Sequence, residues 1–345
     1  MPVVLHVLPH PGGGAEAYLD LLAGMEEFEQ RRVALSDSRS RLRGAASLPL
    51  RRARIARAAE AIDLVHVHGD TAAALVAPRL GDRPSLITTH GLHRLRRDGR
   101  LSSIFRRRLR DAIAAASATI CTSEREREEL RRLVGEALAP RLVAIPNGVP
   151  LPPARESAER ARARDALNLD DEAVVVLFLG RLEDRKGPLE AIEAVARVSS
   201  EGLPVVLLVA GDGPLAQDVG ARASAAVRPL GHQRDPAPLF DAADAFVLPS
   251  RREGMSMALL EAMSHGLAPF VLDQPGNVEA VGDAGIVVPA GVAPLAERLA
   301  ALARDRGELA RLGAAARERI ANELTDSNFR DRTREVYERA IAERG

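Results

Sequence analysis

Residues Phe246–Gly266 read FVLPSRREGMSMALLEAMSHG, and the order of elements in this stretch decides the fold. A short apolar strand, Phe246 to Leu248, breaks at Pro249. A polar turn follows, and a helix is expected from about Ser256 to Gly266. Ser256 can cap the helix with its hydroxyl, and Gly266 is a natural C-terminal stop. Strand, polar turn and helix make the repeating unit of a parallel α/β sheet, whose ligands gather beyond the carboxyl ends of the strands. A helix start offers unpaired N–H groups and the positive end of a dipole, so the turn suits an anion. Glu253 lies in the turn and Glu261 in the helix, with seven residues between them. Glu261 sits about 7.5 Å along the axis from the cap at ~1.5 Å per residue. Helical side chains lean toward the N-terminus, so its carboxylate can reach back beside the anion. A diphosphate flanked by two hydroxylated groups, as in a nucleotide sugar, fits this arrangement. On its own the pair could equally be a solvated turn residue and an exposed helix residue; the rest of the chain decides between the two.

Short β-rich apolar runs alternate with alanine- and arginine-rich helical stretches along the whole chain. Strands are predicted at Val3–Leu8, Arg32–Leu35, Leu64–His68, Ser85–Thr89, Ala118–Cys121 and Leu142–Ile145 in the first half. In the second half they are predicted at Val174–Leu179, Val205–Ala210, Phe246–Leu248, Pro269–Leu272 and Ile286–Val288. Such alternation predicts parallel sheets covered by helices, and informative residues just after each strand. After the first strand comes His10-Pro11-Gly12-Gly13-Gly14-Ala15-Glu16, where glycines let backbone N–H groups approach a ligand. His66 and His68 share one face of a strand; they read either as a metal pair lacking a third ligand or as a strand end facing the ligand cleft. His90 closes Thr88-Thr89-His90-Gly91 at the end of the next strand.

The second half opens on a strand followed by Gly180-Arg181-Leu182-Glu183-Asp184-Arg185-Lys186-Gly187. Arg181 and Lys186 are two cations in a loop after a strand and can grip both phosphates of a leaving diphosphate. A charge cluster balanced by Glu183 and Asp184 is the plainer alternative. Lys186 is the only lysine of the chain, a compact ammonium where arginine is used everywhere else. Gly211-Asp212-Gly213-Pro214 follows another strand, and Leu230-Gly231-His232 is expected just past a further one.

Taken together, G-G-A-E from Gly13, I-P-N-G-V from Ile145, G-R-L…K-G from Gly180, G-x-G-P from Gly211 and E-G-x-x-x-x-x-x-E from Glu253 resemble the retaining glycosyltransferases of family 4. The resemblance covers nearly the whole chain and is strongest from Gly180 to Gly285. It implies the GT-B fold: α/β, two facing Rossmann-like domains with parallel sheets and a ligand cleft between them. Residues 1–152 would form the acceptor domain and 153–325 the donor domain, with a final helix, 326–345, crossing back to the first. It implies transfer of a sugar from a nucleoside-diphosphate sugar, with UDP or GDP as the base carrier, and no bound cofactor or metal; no D-x-D stands between the strands. Carried over, Arg181 and Lys186 neutralise the leaving diphosphate, Glu261 takes the ribose hydroxyls, and Glu253 and His90 hold the donor sugar. Gly13, Gly14, Gly180, Gly211, Gly213 and Gly254 line the donor, and Met255 and Ser256 offer it backbone N–H groups. Ser256 stands where many relatives have a small residue such as glycine. Two alternatives remain: a nucleotide-sugar 2-epimerase, for which no clear acid/base set is present, and a non-catalytic nucleotide-sugar-binding subunit.

Composition sets outer bounds. The 345 residues suffice for two domains, and 46% hydrophobic with 28% charged residues reads as globular. The 48 basic and 48 acidic residues cancel, so nothing points to nucleic acid. The single Cys121 rules out an internal disulfide and agrees with a cytoplasmic location. Met1-Pro2-Val3-Val4 leads straight into a strand, so no signal peptide is expected. Arg94–Arg110 is strongly basic with four apolar partners, which suits a helix packed on a sheet and also allows peripheral contact with an anionic membrane. The closing helices are predicted at Val292–Ala321 and Asn328–Glu343, and Ser36–Pro49 as a loop.

Overall fold

The computed structural model describes residues 1–10, 14–35, 62–76, 80, 83–92 and 102–343; Gly13, the Ser36–Pro49 stretch and residues 94–101 of the basic stretch lie outside them. The chain forms two compact units. The first comprises Met1–Gly148, Glu253–Met257 and Asp326–Gly345, and the second Val149–Arg252 and Ala258–Thr325.

The sheet of the first unit has six parallel strands: β1 (Val3–Leu8), β2 (Glu29–Ala34), β3 (Leu64–His68), β4 (Ser85–Thr88), β5 (Ala118–Cys121) and β6 (Leu142–Ala144). Their order is β2-β1-β3-β4-β5-β6. Every residue of β3, β4 and β5 is buried, which explains why these strands read as continuous apolar runs rather than as alternating ones. Side chains still alternate between faces. Leu5, Val7, Val65, Val67 and Ile87 pack on one face with the helices Asp70–Val76, Ser102–Ala115 and Glu124–Val134. Val4, Leu8, Leu64 and Leu86 pack on the other with Tyr18 and Leu19 of the helix Gly14–Leu22 and Phe329, Val336 and Tyr337 of the helix Asp326–Ala342.

The second unit repeats the plan with β7 (Val174–Leu179), β8 (Val205–Ala210), β9 (Val227–Gly231), β10 (Ala245–Leu248), β11 (Ala268–Leu272) and β12 (Ile286–Val288), all parallel, in the order β12-β11-β10-β7-β8-β9. The chain runs outward from β7 through β8 to β9, then returns to β10 on the other side of β7 and runs outward again. The strand order therefore reverses between β7 and β10, the place where open α/β sheets bind ligands.

Three expectations change. The second strand starts at Glu29, ahead of its apolar part, because β1 pairs with it from Val3 onward. The helix expected over Val292–Ala321 is two, Val292–Arg304 and Arg306–Glu323. Asp305 breaks the run and caps the second helix by accepting the Glu308 N–H at 2.9 Å. Leu230 and Gly231 lie within β9 rather than after it. In the helix Ser102–Ala115, Leu109, Ala112 and Ile113 are buried while Ile104, Arg106, Arg107, Arg108 and Arg110 are exposed, so Leu109 of the basic stretch serves the core and Ile104 does not; the part of that stretch before Ser102 lies outside the described residues.

Candidate active site

In the second unit the loops after β7 and β8 are built backbone against backbone. Leu182 N–H donates to the Asp212 carbonyl at 2.9 Å, and Leu215 N–H returns to the Leu182 carbonyl at 2.9 Å. Gly211, at φ +148, lies so close to its neighbour that a Cβ there would stand 1.8 Å from the Gly180 carbonyl oxygen. Gly211 and Gly213, where a Cβ would stand 2.4 Å from the Leu182 carbonyl oxygen, are thus explained first by this packing, whereas a Cβ on Gly180 would meet nothing within 4 Å. Arg181 and Lys186 flank Leu182 and Arg185 in the same loop. Arg181 is 3.5 Å from Glu183, and Arg185 lies 2.7 Å from the same carboxylate. The loop after β10 joins it: Arg251 N–H donates to the Arg185 carbonyl at 2.8 Å, and Ser250 Oγ to the same carbonyl at 3.1 Å. Both cations therefore sit in the loop of β7, tied to the loop of β10, at the switch point of the sheet.

Glu261 follows in the helix Met257–Ser264. Its carboxylate is half-buried, with no hydrogen bond or ion pair among the described residues, and desolvation raises its pKa to about 7. A carboxylate held in that state lacks a positive or hydroxylated partner. Because its folded pKa exceeds the unfolded 4.5, the folded protein holds the extra proton in this window, and stability falls as pH rises from about 4.5 to 7.

In the first unit, Glu253 and Ser256 are buried at 8% exposure each. A Cβ on Gly254 would lie 2.9 Å from Gly91 N and from Thr122 Oγ1, so only glycine lets the segment pack this closely. Met255 N–H donates to Thr122 Oγ1 at 3.3 Å, and Asn147 Nδ2 donates to the Met255 carbonyl at 2.8 Å. The Met255 amide expected for a ligand is thus taken by a threonine hydroxyl. Glu126 is 2% exposed and accepts Gly91 N–H at 2.8 Å, Thr122 N–H at 2.7 Å and Thr122 Oγ1–H at 2.8 Å; burial raises its pKa. Nothing in the sequence singles out Thr122 and Glu126, because Glu126 sits in a helix rich in both signs of charge. The rest of that helix carries surface ion pairs, Arg127–Glu124, Arg131–Glu128 and Arg132–Glu128.

His90 has a left-handed backbone, φ +52, uncommon for a residue with a side chain and typical of sites the surroundings over-determine. Its ring is joined to a buried histidine cluster. β1 and β3 pair in parallel with His6 opposite His66, and period two puts His68 on the same face. His6 is therefore the third histidine that β3 lacked in the sequence reading. One nitrogen from each of His6, His66 and His68 lies within 4.8 Å of the others, the one such grouping among the described residues. Five of their six ring nitrogens are already engaged, however, by one another, His90, Tyr337 and Thr88.

The described residues thus bring Gly180, Arg181, Lys186, Gly211 and Gly213 together in the second unit, and His90, Glu253, Gly254 and Met255 in the first. Gly14 opens the helix Gly14–Leu22, and Gly13 is outside the described residues. Two Rossmann-like α/β units, each with a six-stranded parallel sheet, define the class as the GT-B fold. The model of glycosyltransferase family 4 matches residues 5–151, and that of glycosyl transferases group 1 matches residues 173–305. The chain belongs to the group 1 glycosyltransferases of family 4. The D-inositol 3-phosphate glycosyltransferase of Xylanimonas cellulosilytica is 32% identical over 222 residues, 59% of this chain and 53% of that protein. The chain spans about half the length of that curated relative. Among solved structures, sucrose-phosphate synthase from Thermosynechococcus elongatus superposes with a TM-score of 0.82 at 20% identity, over 99% of this chain and 100% of that one. Anabaena Alr3699/HepE in complex with UDP-glucose gives 0.79 at 18%, over 98% and 100%. These two likenesses speak to the fold.

Proposed function

We propose that this protein transfers a sugar, with retention of anomeric configuration and without a metal ion, from a nucleoside-diphosphate sugar to an acceptor. The observation that carries the reading is the pairing of Arg181 and Lys186 in the β7 loop at the strand-order reversal of the second unit. Charge accumulates on the leaving diphosphate as the glycosidic C–O bond breaks, and preorganised cations stabilise that charge more than they stabilise the ground state. Glu261 receives the ribose hydroxyls, which supply the donors its carboxylate lacks. His90 and Glu253 hold the donor sugar, and Thr122 and Asn147 fix the segment that carries Glu253. Residues 1–152 serve the acceptor and 153–325 the donor. The carrier is UDP or GDP; Anabaena Alr3699/HepE, which shares the fold, is seen with UDP-glucose. Among the described residues no helix is long and apolar enough to cross a membrane. The exposed arginines of Ser102–Ala115 are compatible with contact to anionic lipid from the cytoplasmic side.

A thermal-shift panel of UDP-, GDP- and ADP-sugars, followed by donor-hydrolysis and transfer assays, tests this reading. A shift with one nucleotide and turnover of its sugar is expected. A shift without turnover would support a binding subunit instead, and no shift with any nucleotide would reject the donor site.

Glu261 gives the reading a pH signature. If it must be ionised to accept ribose hydroxyls, UDP affinity should fall by up to about tenfold per pH unit below its folded pKa. Calorimetry should show proton release on binding near neutral pH. Glu261→Gln should abolish both the release and the slope; a wild-type affinity that is flat from pH 6 to 8 would exclude the ribose contact.

A further inference from the structure

The buried carboxylate of Glu126 has no part in the reading above, yet two loops of the first unit meet on it. Glu126 is the third residue of the helix Glu124–Val134, and Ser123 caps that helix by accepting the Glu126 N–H at 3.0 Å. In a reciprocal cap the acid returns to the amide of the capping residue itself. Here Oε2 takes the amide of Thr122, one residue earlier, at 2.7 Å and the Thr122 hydroxyl at 2.8 Å. Oε1 reaches past the end of the neighbouring strand β4 and accepts the Gly91 N–H at 2.8 Å. Two of these donors are backbone amides and cannot reverse, so both oxygens must act as acceptors. An ionised carboxylate does this. A carboxamide of the same shape cannot, because one end of it carries hydrogen.

The atoms that Glu126 holds are the ones on which the Glu253–Met257 segment rests. The nearest atoms to a Cβ built on Gly254 are Gly91 N and Thr122 Oγ1, at 2.9 Å each, and the carbonyl carbon of His90 at 3.0 Å. The Thr122 hydroxyl gives its hydrogen to Glu126 and so keeps lone pairs for the Met255 N–H, 3.3 Å away. The Gly91 N–H belongs to the peptide that sets the His90 ψ angle. His90 and Gly91 both have left-handed backbones, φ +52 and +92, and for His90 that conformation persists only where the surroundings hold it. A charge-assisted bond to the Gly91 N–H is such a hold, about twice as strong as a neutral one.

We propose that Glu126 is a positioning residue for sugar transfer: its carboxylate clamps the His90–Gly91 turn and, through the Thr122 hydroxyl, the Gly254–Met255 backbone into fixed places beside one another. The consequence for transfer rests on the donor-sugar reading of His90 and Glu253, which this turn and this segment carry; the clamp itself does not. Arg181, Lys186 and Glu261, to which the diphosphate and ribose are assigned, belong to the second unit. Loosening the clamp therefore slows transfer and leaves the affinity for the nucleoside diphosphate as it was.

Backbone amide NMR of the full chain tests the clamp without any assay of activity; calorimetry with UDP and GDP, and turnover of the UDP- or GDP-sugar, test its consequence. In the parent protein the Gly91 amide should exchange slowly with solvent. Glu126→Gln can keep both Thr122 bonds only by turning its NH₂ toward Gly91, so the Gly91 amide signal should move and its exchange quicken. Thr122→Val removes the hydroxyl alone, and the Met255 amide should respond in the same way while that of Gly91 stays. Either change should lower kcat about 10- to 100-fold, the effect of a small misplacement, with nucleoside diphosphate affinity kept. A general loss of structure would not give that split. Thr122→Ser, which returns the hydroxyl, should recover most of the turnover that Thr122→Val loses. An unmoved Gly91 amide in Glu126→Gln, an unmoved Met255 amide in Thr122→Val, or nucleotide affinity falling in step with kcat would overturn the proposal. Should Glu126→Gln fail to fold by circular dichroism, the parent protein and Thr122→Val decide, and a freely exchanging Gly91 amide in the parent would overturn the clamp. If both amides respond and turnover stays, the clamp stands and the donor-sugar reading of His90 and Glu253 falls.

Discussion

Lys186→Ala is expected to lower sugar transfer about 100- to 1000-fold, the loss typical of removing one preorganised transition-state donor. Circular dichroism and the melting temperature should stay close to those of the parent protein. Lys186 ends the short turn Asp184–Lys186, whose backbone is secured independently of its ammonium: Lys186 N–H donates to the Glu183 carbonyl at 2.9 Å and Gly187 N–H to that of Asp184 at 3.1 Å. The deficit should appear in kcat as well as in kcat/KM, because charge on the leaving diphosphate is greatest in the transition state. Arg181→Ala should act in the same direction. Lys186→Arg keeps the charge but spreads it over a planar fork, so recovery should be partial. Arg185→Ala is a useful contrast, since Arg185 bonds Glu183 and the Arg252 carbonyl and so ties two loops together; its effect should fall on stability. Turnover of Lys186→Ala within twofold of the parent, once a donor is identified, would remove the phosphate assignment.

The second large effect concerns folding. Arg164→Ala should destabilise the second unit by about 3–5 kcal/mol, the usual cost of stranding a buried, hydrogen-bonded ion pair. Arg164 is fully buried. It donates to the carbonyls of Ala242, Asp170, Asp171 and Ala173 at 3.1 Å each, and to Asp244 Oδ2 at 2.7 Å. Asp244 also receives Val175 N–H at 2.8 Å and Arg160 at 2.7 Å. One guanidinium thus joins the helix Ser157–Ala166 to the start of β7 and the approach to β10, the two strands that bracket the switch point. An apolar replacement of both partners should not restore stability here, because four backbone carbonyls would lose their donor. Arg311, in an exposed pair with Glu308, should tolerate alanine with no measurable loss of stability. Urea denaturation separates the two, and a loss under about 1 kcal/mol for Arg164→Ala would contradict the structural role.

Much of the architecture could be read locally. A strand buried on both faces in a parallel sheet writes itself as a short apolar run, which is why Leu64–His68, Ala118–Cys121, Val174–Leu179 and Val205–Ala210 could be placed to the residue. The glycine at 211 was equally visible, although the atom that demands it, the Gly180 carbonyl, was not. Asp305 shows a local signal outvoted by another: alanine and leucine continue the helical pattern through it, yet its carboxylate does better as a cap. Glu126 shows the limit of composition, because a charged residue in a charged helix is indistinguishable by sequence from its solvated neighbours until the backbone amides that surround it are known.

The sequence by itself determined the alternation of elements, the glycine turns at strand ends, and the positions of Arg181, Lys186 and Glu261, because each depends on residues within one or two turns of chain. Only the tertiary structure decided that His6 lies beside His66, that Thr122 and Asn147 hold the backbone of Met255, and that Arg164 reaches Asp244. Those pairings depend on strand register and on which segments share a face, and both are settled by burial summed over distant parts of the chain rather than by any one stretch.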